Sequence, residues 1–145
     1  TTNFILVFFS ILFQLVAGQP ANNLCYDAHS LDIEGVPATG STIEATKDRG
    51  LERCLNNNRR SDLFGVWYSV IGDGSALTAS LCSSGNPYDS QITIYAGASC
   101  DQLVCIAGND DSCRELSEVT WPAENGAKYF IYVHGFQEAT GMFEI

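Results

Sequence analysis

The run Asn109-Asp110-Asp111 puts three oxygen-bearing side chains in consecutive positions, and Asp89 opens a β-rich stretch that leads up to it. Two kinds of chemistry suit these residues. Calcium takes about six to eight oxygens from carboxylates, amides and carbonyls, and Asp89, Asn109, Asp110 and Asp111 would supply side-chain oxygens to such an ion. Asn and Asp also make turns by hydrogen bonding to their own backbone, which would leave the same run purely structural. The D-x-D-x-D-G pattern of an EF-hand loop is absent.

A second candidate set is aromatic. In an extended strand the alternation of side chains puts Phe130, Tyr132 and His134 on the face opposite Tyr129, Ile131 and Val133. Trp67 likewise faces away from Val66 and Tyr68. If exposed, Trp67, Phe130, Tyr132 and His134 would form an interaction patch for a glycan or a protein surface. The alternative is that this set lines a core, as a tryptophan in a small sandwich often does.

Six cysteines form an even set, Cys25, Cys54, Cys82, Cys100, Cys105 and Cys113. A zinc site calls for close C-x2-C pairs, whereas the nearest pair here, Cys100 and Cys105, has four residues between. His29 and His134 are the two histidines, and neither adjoins a cysteine. Disulfides are therefore expected. Pairing each cysteine with a near partner across a turn or loop predicts Cys25–Cys54, Cys82–Cys113 and Cys100–Cys105. Oxidised cysteines are not nucleophiles, there is no G-x-S-x-G turn, and no motif singles out a catalytic carboxylate pair. The expectation is a protein without catalytic residues.

The elements that must position these groups read as β throughout. The 145 residues include 13 glycines and a single methionine, a composition that favours turns and strands. Residues 4–16, FILVFFSILFQLV, have the length of a signal-peptide core, short of the roughly 20 residues of a membrane span. Residues 1–18 are therefore expected to be a signal peptide clipped at its start, with a retained anchor as the alternative. The net charge of −10 falls wholly after this segment, which argues against nucleic acid and anionic membrane as partners and favours cations.

Residues 19–39 read as an irregular lead-in and 40–145 as the folded domain. Strands are expected at residues 40–46, 66–71, 76–82, 91–95, 103–107, 116–121, 128–134 and 141–145, with residues 76–82 the hairpin partner of 66–71 across Gly72-Asp73-Gly74. A polar loop, including Arg59-Arg60, is expected over 47–62. About eight strands at such spacing predict an all-β, jelly-roll-like β-sandwich stabilised by disulfides.

The motifs of the second half occur in a recognisable order: GVWYSVIGDG, a strand ending ASLC, YDSQITIYAG, AGNDDSC, and NGAKYFIYVHGFQEATGMFEI. Residues 40–145 in this order resemble the pre-peptidase C-terminal (PPC) domain family of secreted β-sandwich modules. The resemblance rests on Trp67-Tyr68-Ser69, Asp89 to Tyr95, Asn109-Asp110-Asp111, and Gly126 to Ile145. It implies an accessory module without a catalytic site, which binds matrix or carbohydrate or assists an attached exported enzyme. Six cysteines exceed the family's pattern, and the domain stands directly behind the expected signal peptide. The primary expectation is therefore a secreted binding or adhesion module that contacts extracellular polymer, carbohydrate or protein surface. The alternative is an accessory domain of a larger secreted hydrolase or peptidase, continuing past Ile145 and contacting other domains of its own chain.

Overall fold

The computed structural model describes residues 18–52, 54, 63–83, 85 and 88–145. Most of the expected signal peptide (1–17) and the Arg59-Arg60 loop lie outside the described residues. A single turn of 3-10 helix, Cys25–Asp27, is followed by ten strands: β1 His29–Ser30, β2 Thr39–Ser41, β3 Lys47–Asp48, β4 Leu63–Ile71, β5 Ala76–Ser80, β6 Ser90–Ala96, β7 Val104–Asn109, β8 Glu118–Pro122, β9 Lys128–Gly135 and β10 Met142–Glu144. The fold is all-β, and among the described residues no helix is long and apolar enough to cross a membrane.

One sheet runs β1-β4-β9-β6-β7, with β3 also pairing β4. β4 and β9 are joined antiparallel over seven residue pairs, from Gly65↔His134 to Ile71↔Lys128. The second layer consists of two antiparallel ribbons, β5–β8 and β2–β10. The core between the layers takes Val66, Tyr68 and Val70 from β4, Ile92 and Ile94 from β6, and Ile131 and Val133 from β9. Leu77, Val119, Trp121 and Phe143 meet them from the ribbons.

The expected hairpin between residues 66–71 and 76–82 does not form. Both edges of β4 are already taken, one by β9 and the other by β1 and β3. Gly72 donates its N–H to Ala127 O (2.8 Å) and accepts from the N–H of Gly126 (2.8 Å). That anchoring carries the chain off the sheet edge, and β5 pairs with β8 in the other layer. The lead-in is also more structured than expected, because β1 runs parallel to β4 (His29↔Tyr68) and Asn22 exchanges bonds of 2.9 Å with the backbone of Trp67.

Of the expected disulfides, Cys82–Cys113 is present, with Cα atoms 5.8 Å apart. The other two are corrected: Cys25 pairs with Cys100 and Cys54 with Cys105, over Cα separations of 5.9 and 5.4 Å. Proximity in sequence misled here because the Cys25 turn and the Cys54 segment both lie on the outer face of the main sheet. Cys100 lies in the β6–β7 connection and Cys105 within β7, so each anchors one of the two covering segments.

Candidate functional site: an acidic cluster at the end of the main sheet

The register of β6 on β7 pairs Ile92 with Asn109. The ladder ends there; just beyond it Gln91 bonds to the Asp110 carboxylate, and Asp89 precedes the first residue of β6. Two strand ends that are distant in sequence thus converge. Carboxylate oxygens of Asp89, Asp110 and Asp111 all lie within 4.8 Å of one another.

The loop that carries Asp110 and Asp111 is held on several sides. Ser117, fully buried, places its hydroxyl proton between two carbonyls, Ser90 O (2.6 Å) and Asp110 O. Ser90 donates its N–H to Glu115 O (2.9 Å), and the N–H groups of Ser112 and Cys113 both bond to Leu116 O. The Cys82–Cys113 disulfide ties the same loop to the end of β5. On the other side, Asp89 O accepts from the N–H of Phe136 (2.8 Å).

The electrostatics follow from crowding. Burial, then repulsion from Asp110, Asp111 and Glu115, holds the Asp89 carboxyl above its usual range. Burial also raises Asp110, opposed by a hydrogen bond from Gln91 and reinforced by Asp111. Among the described residues no Lys or Arg forms an ion pair with the three carboxylates. Gln91 is 1% exposed, and its Oε1 and Asp110 Oδ1 are buried oxygens without a hydrogen-bond partner among the described residues. Unsatisfied buried oxygens are uncommon and ask for a cause such as a bound ion. The donor set, three carboxylates with no sulfur or imidazole, fits a hard cation such as calcium.

Asn109 behaves differently from its neighbours. Its Oδ1 accepts from the Glu118 N–H at 3.3 Å, a bond that links β7 to β8. Gln91, which bonds to the Asp110 carboxylate, is the neighbour that the sequence did not single out. Its only signal in the sequence was a long polar side chain at the start of an apolar strand.

The aromatic platform is corrected outright. Trp67, Phe130, Tyr132 and His134 do share the outer face of the main sheet, but each is at most 2% exposed. Cys25, Cys54, Cys100, Cys105, Leu51 and Leu103 pack over them. Trp67 lies against Tyr132 with ring centres 4.4 Å apart and donates Nε1–H to Asp48 Oδ2 at 2.6 Å. Tyr132 donates its hydroxyl to Leu63 O and Tyr95 to Glu52 O. Gly65 is needed where Tyr132 crosses β4, since a Cβ there would meet the tyrosine ring at 2.5 Å. The polar tips of Trp67, Tyr95 and Tyr132 are thus committed to partners within the fold, and these rings offer no stacking surface.

His134 is sealed in the same layer, within hydrogen-bond distance of Thr93 Oγ1 (3.0 Å), and burial lowers its imidazole to about 4. It is a neutral structural histidine rather than a ligand contact. His29, by contrast, is exposed on β1.

No family model, curated protein or solved structure matches this chain.

Proposed function

We propose that this chain is a secreted, non-catalytic binding module, that its Asp89–Asp110–Asp111 cluster holds calcium, and that it attaches to an extracellular polymer or protein surface. The observation that carries the reading is the convergence of three carboxylates, one of which, Asp110, has a buried oxygen without a hydrogen-bond partner among the described residues. Three like charges at this separation repel one another, and a divalent cation removes that repulsion while satisfying the buried oxygen. Asp89 and Asp110 belong to two strand ends, so the ion would fasten the β6 and β7 termini and fix the shape of that end of the sandwich.

Further support comes from three disulfides among the described residues, the usual equipment of an oxidising compartment. The order of PPC-like motifs across residues 40–145 supports an attachment role. It equally supports an accessory module of a larger secreted hydrolase, in which the attached surface is another domain of the same chain. With the aromatic face covered, adhesion would run through the loops around the acidic cluster and the second layer.

Co-sedimentation of the oxidised protein with insoluble polysaccharide and with collagen tests the reading. Retention on one of these matrices in calcium, lost on addition of a chelator, is expected. A protein that stays in the supernatant with every matrix, in calcium as in chelator, would overturn the adhesion reading.

A further inference from the structure

The second layer of the sandwich is split among the described residues. Its two ribbons, β5–β8 and β2–β10, do not pair with each other. A cleft of about 720 Å3 runs beside β5, bounded on its other side by residues 30–38 and Ile145. Val70, Ile131 and Trp121, all buried core residues, contribute to its lining. Trp121 Nε1–H has no hydrogen-bond partner among the described residues.

The edge of β5 that faces away from β8 is open. Leu81 donates its N–H to Ser117 O and Ala123 to Ser75 O, each at 2.9 Å. These bonds flank the ladder and fix its phase, so Leu77 and Ala79 direct their backbone groups toward β8. Ala76, Thr78 and Ser80 therefore direct their N–H and C=O groups the other way, and none has a backbone partner among the described residues. All three line the cleft. Across it, Ala38 and Ile145 exchange two backbone bonds of 2.9 Å, which makes that wall regular and extended. Unpaired strand edges of this kind recruit further strands, and domains that bind peptides by strand addition use them.

Charge narrows the occupant. Asp32, Glu34 and Asp73 line the cleft, and among the described residues no Lys or Arg does. The walls also carry exposed apolar side chains, Ile33 and Val36, the latter 93% exposed. We infer that the β5 edge binds an extended peptide segment of an extracellular partner, in which apolar residues alternate with Lys or Arg. Side chains of such a strand point alternately to opposite faces. Its apolar residues would enter toward Val70, Ile131 and Trp121, and its basic residues would meet Asp32, Glu34 and Asp73. The inference rests on the binding-module reading and names a class of partner for it, but it uses no residue of the acidic cluster.

The probe is a set of eight-residue synthetic peptides that alternate valine, isoleucine or threonine with lysine or arginine. Counterparts with glutamate in the basic positions serve as controls. Amide exchange of the full chain, read by NMR, is expected to slow about tenfold or more at Ala76, Thr78 and Ser80 on adding a basic peptide, and to stay unchanged with the acidic controls. Thr78→Pro removes the central N–H at an edge position that tolerates proline and is expected to abolish the slowing. Asp32→Lys, an exposed charge reversal that does not touch the core, is expected to weaken binding about tenfold, or roughly 1.4 kcal/mol.

Failure of every basic peptide to bind, or shifts that map away from β5, would overturn the inference. So would slow exchange at these three amides without peptide that depends on protein concentration, since a second copy would then occupy the edge. Calcium-dependent co-sedimentation that persists while the peptides fail would remove the β5 edge and leave the binding-module reading standing.

Discussion

Replacing Trp67 by alanine is expected to cost about 3–5 kcal/mol of stability, the range for removing a buried aromatic side chain. The ring is 1% exposed and fills the space between Tyr132 and Tyr95, with ring centres 4.4 and 5.8 Å away. Urea unfolding reads the change as a shift in midpoint at constant slope. Trp67→Phe keeps much of the packing but strips Asp48 of its indole donor, and a cost of about 1–3 kcal/mol is expected for leaving that carboxylate unsatisfied.

The Asp48 carboxyl already sits above its usual range through burial, with the Trp67 hydrogen bond pulling it down. Without the indole it rises further. A carboxyl raised in the folded state supplies stability below its unfolded value and loses it as pH rises through the folded one. The penalty of Trp67→Phe is therefore expected to be larger at neutral than at acidic pH. A Trp67→Ala protein of unchanged stability that had lost polysaccharide binding would restore the aromatic platform and contradict the covered face.

The second large effect is one of pH. His134 is fully enclosed and its imidazole is lowered from 6.5 to about 4. The unfolded chain thus takes up a proton in a range where the folded chain stays neutral. The stability this supplies is complete above the unfolded value and is lost as pH falls toward the folded one. Between about pH 7 and about pH 5 the loss comes to about 2 kcal/mol.

Asp89 and Asp110 act in the opposite sense, because their carboxyls are raised. Protonating them relieves repulsion, so their contribution grows as pH falls. His134→Gln cannot take up the proton while keeping a polar partner for Thr93, and is expected to flatten the fall in stability between pH 7 and 5. An unfolding midpoint that drops equally in His134→Gln and the wild-type protein would assign the fall to other groups.

The strands of the central sheet were legible because β4, β6 and β9 are strongly apolar runs closed by Gly or Asp turns. Which face of them met the core was not. Alternation sorts Tyr129, Ile131 and Val133 from Phe130, Tyr132 and His134, yet both sets are buried, one under the ribbons and the other under the N-terminal segments. Those covering segments carry no periodicity, since disulfides and single hydrogen bonds to loop carbonyls hold them in place. Residues 75 and 51 positions apart form two of the disulfides, so distance along the chain could not identify them.

Asp89, Asp110 and Asp111 were visible as oxygen donors, because Asp in a turn is conspicuous whatever its role. Gln91 was not, since only the fold brings this buried strand residue against Asp110. The open edge of β5 was equally hidden, because strand residues do not state which strand they pair with.

Calcium binding by the oxidised protein can be read by titration calorimetry. One ion per chain is expected, with a dissociation constant between about 10⁻⁶ and 10⁻³ M, the span from sensor sites to weak extracellular ones. The unfolding midpoint is expected to rise with free calcium. Asp110→Asn is expected to weaken binding about tenfold or more by removing one of the three charges. A wild-type protein that gives no heat with calcium, and that unfolds identically in calcium and in chelator, would contradict the account and leave Asp89, Asp110 and Asp111 as a surface turn.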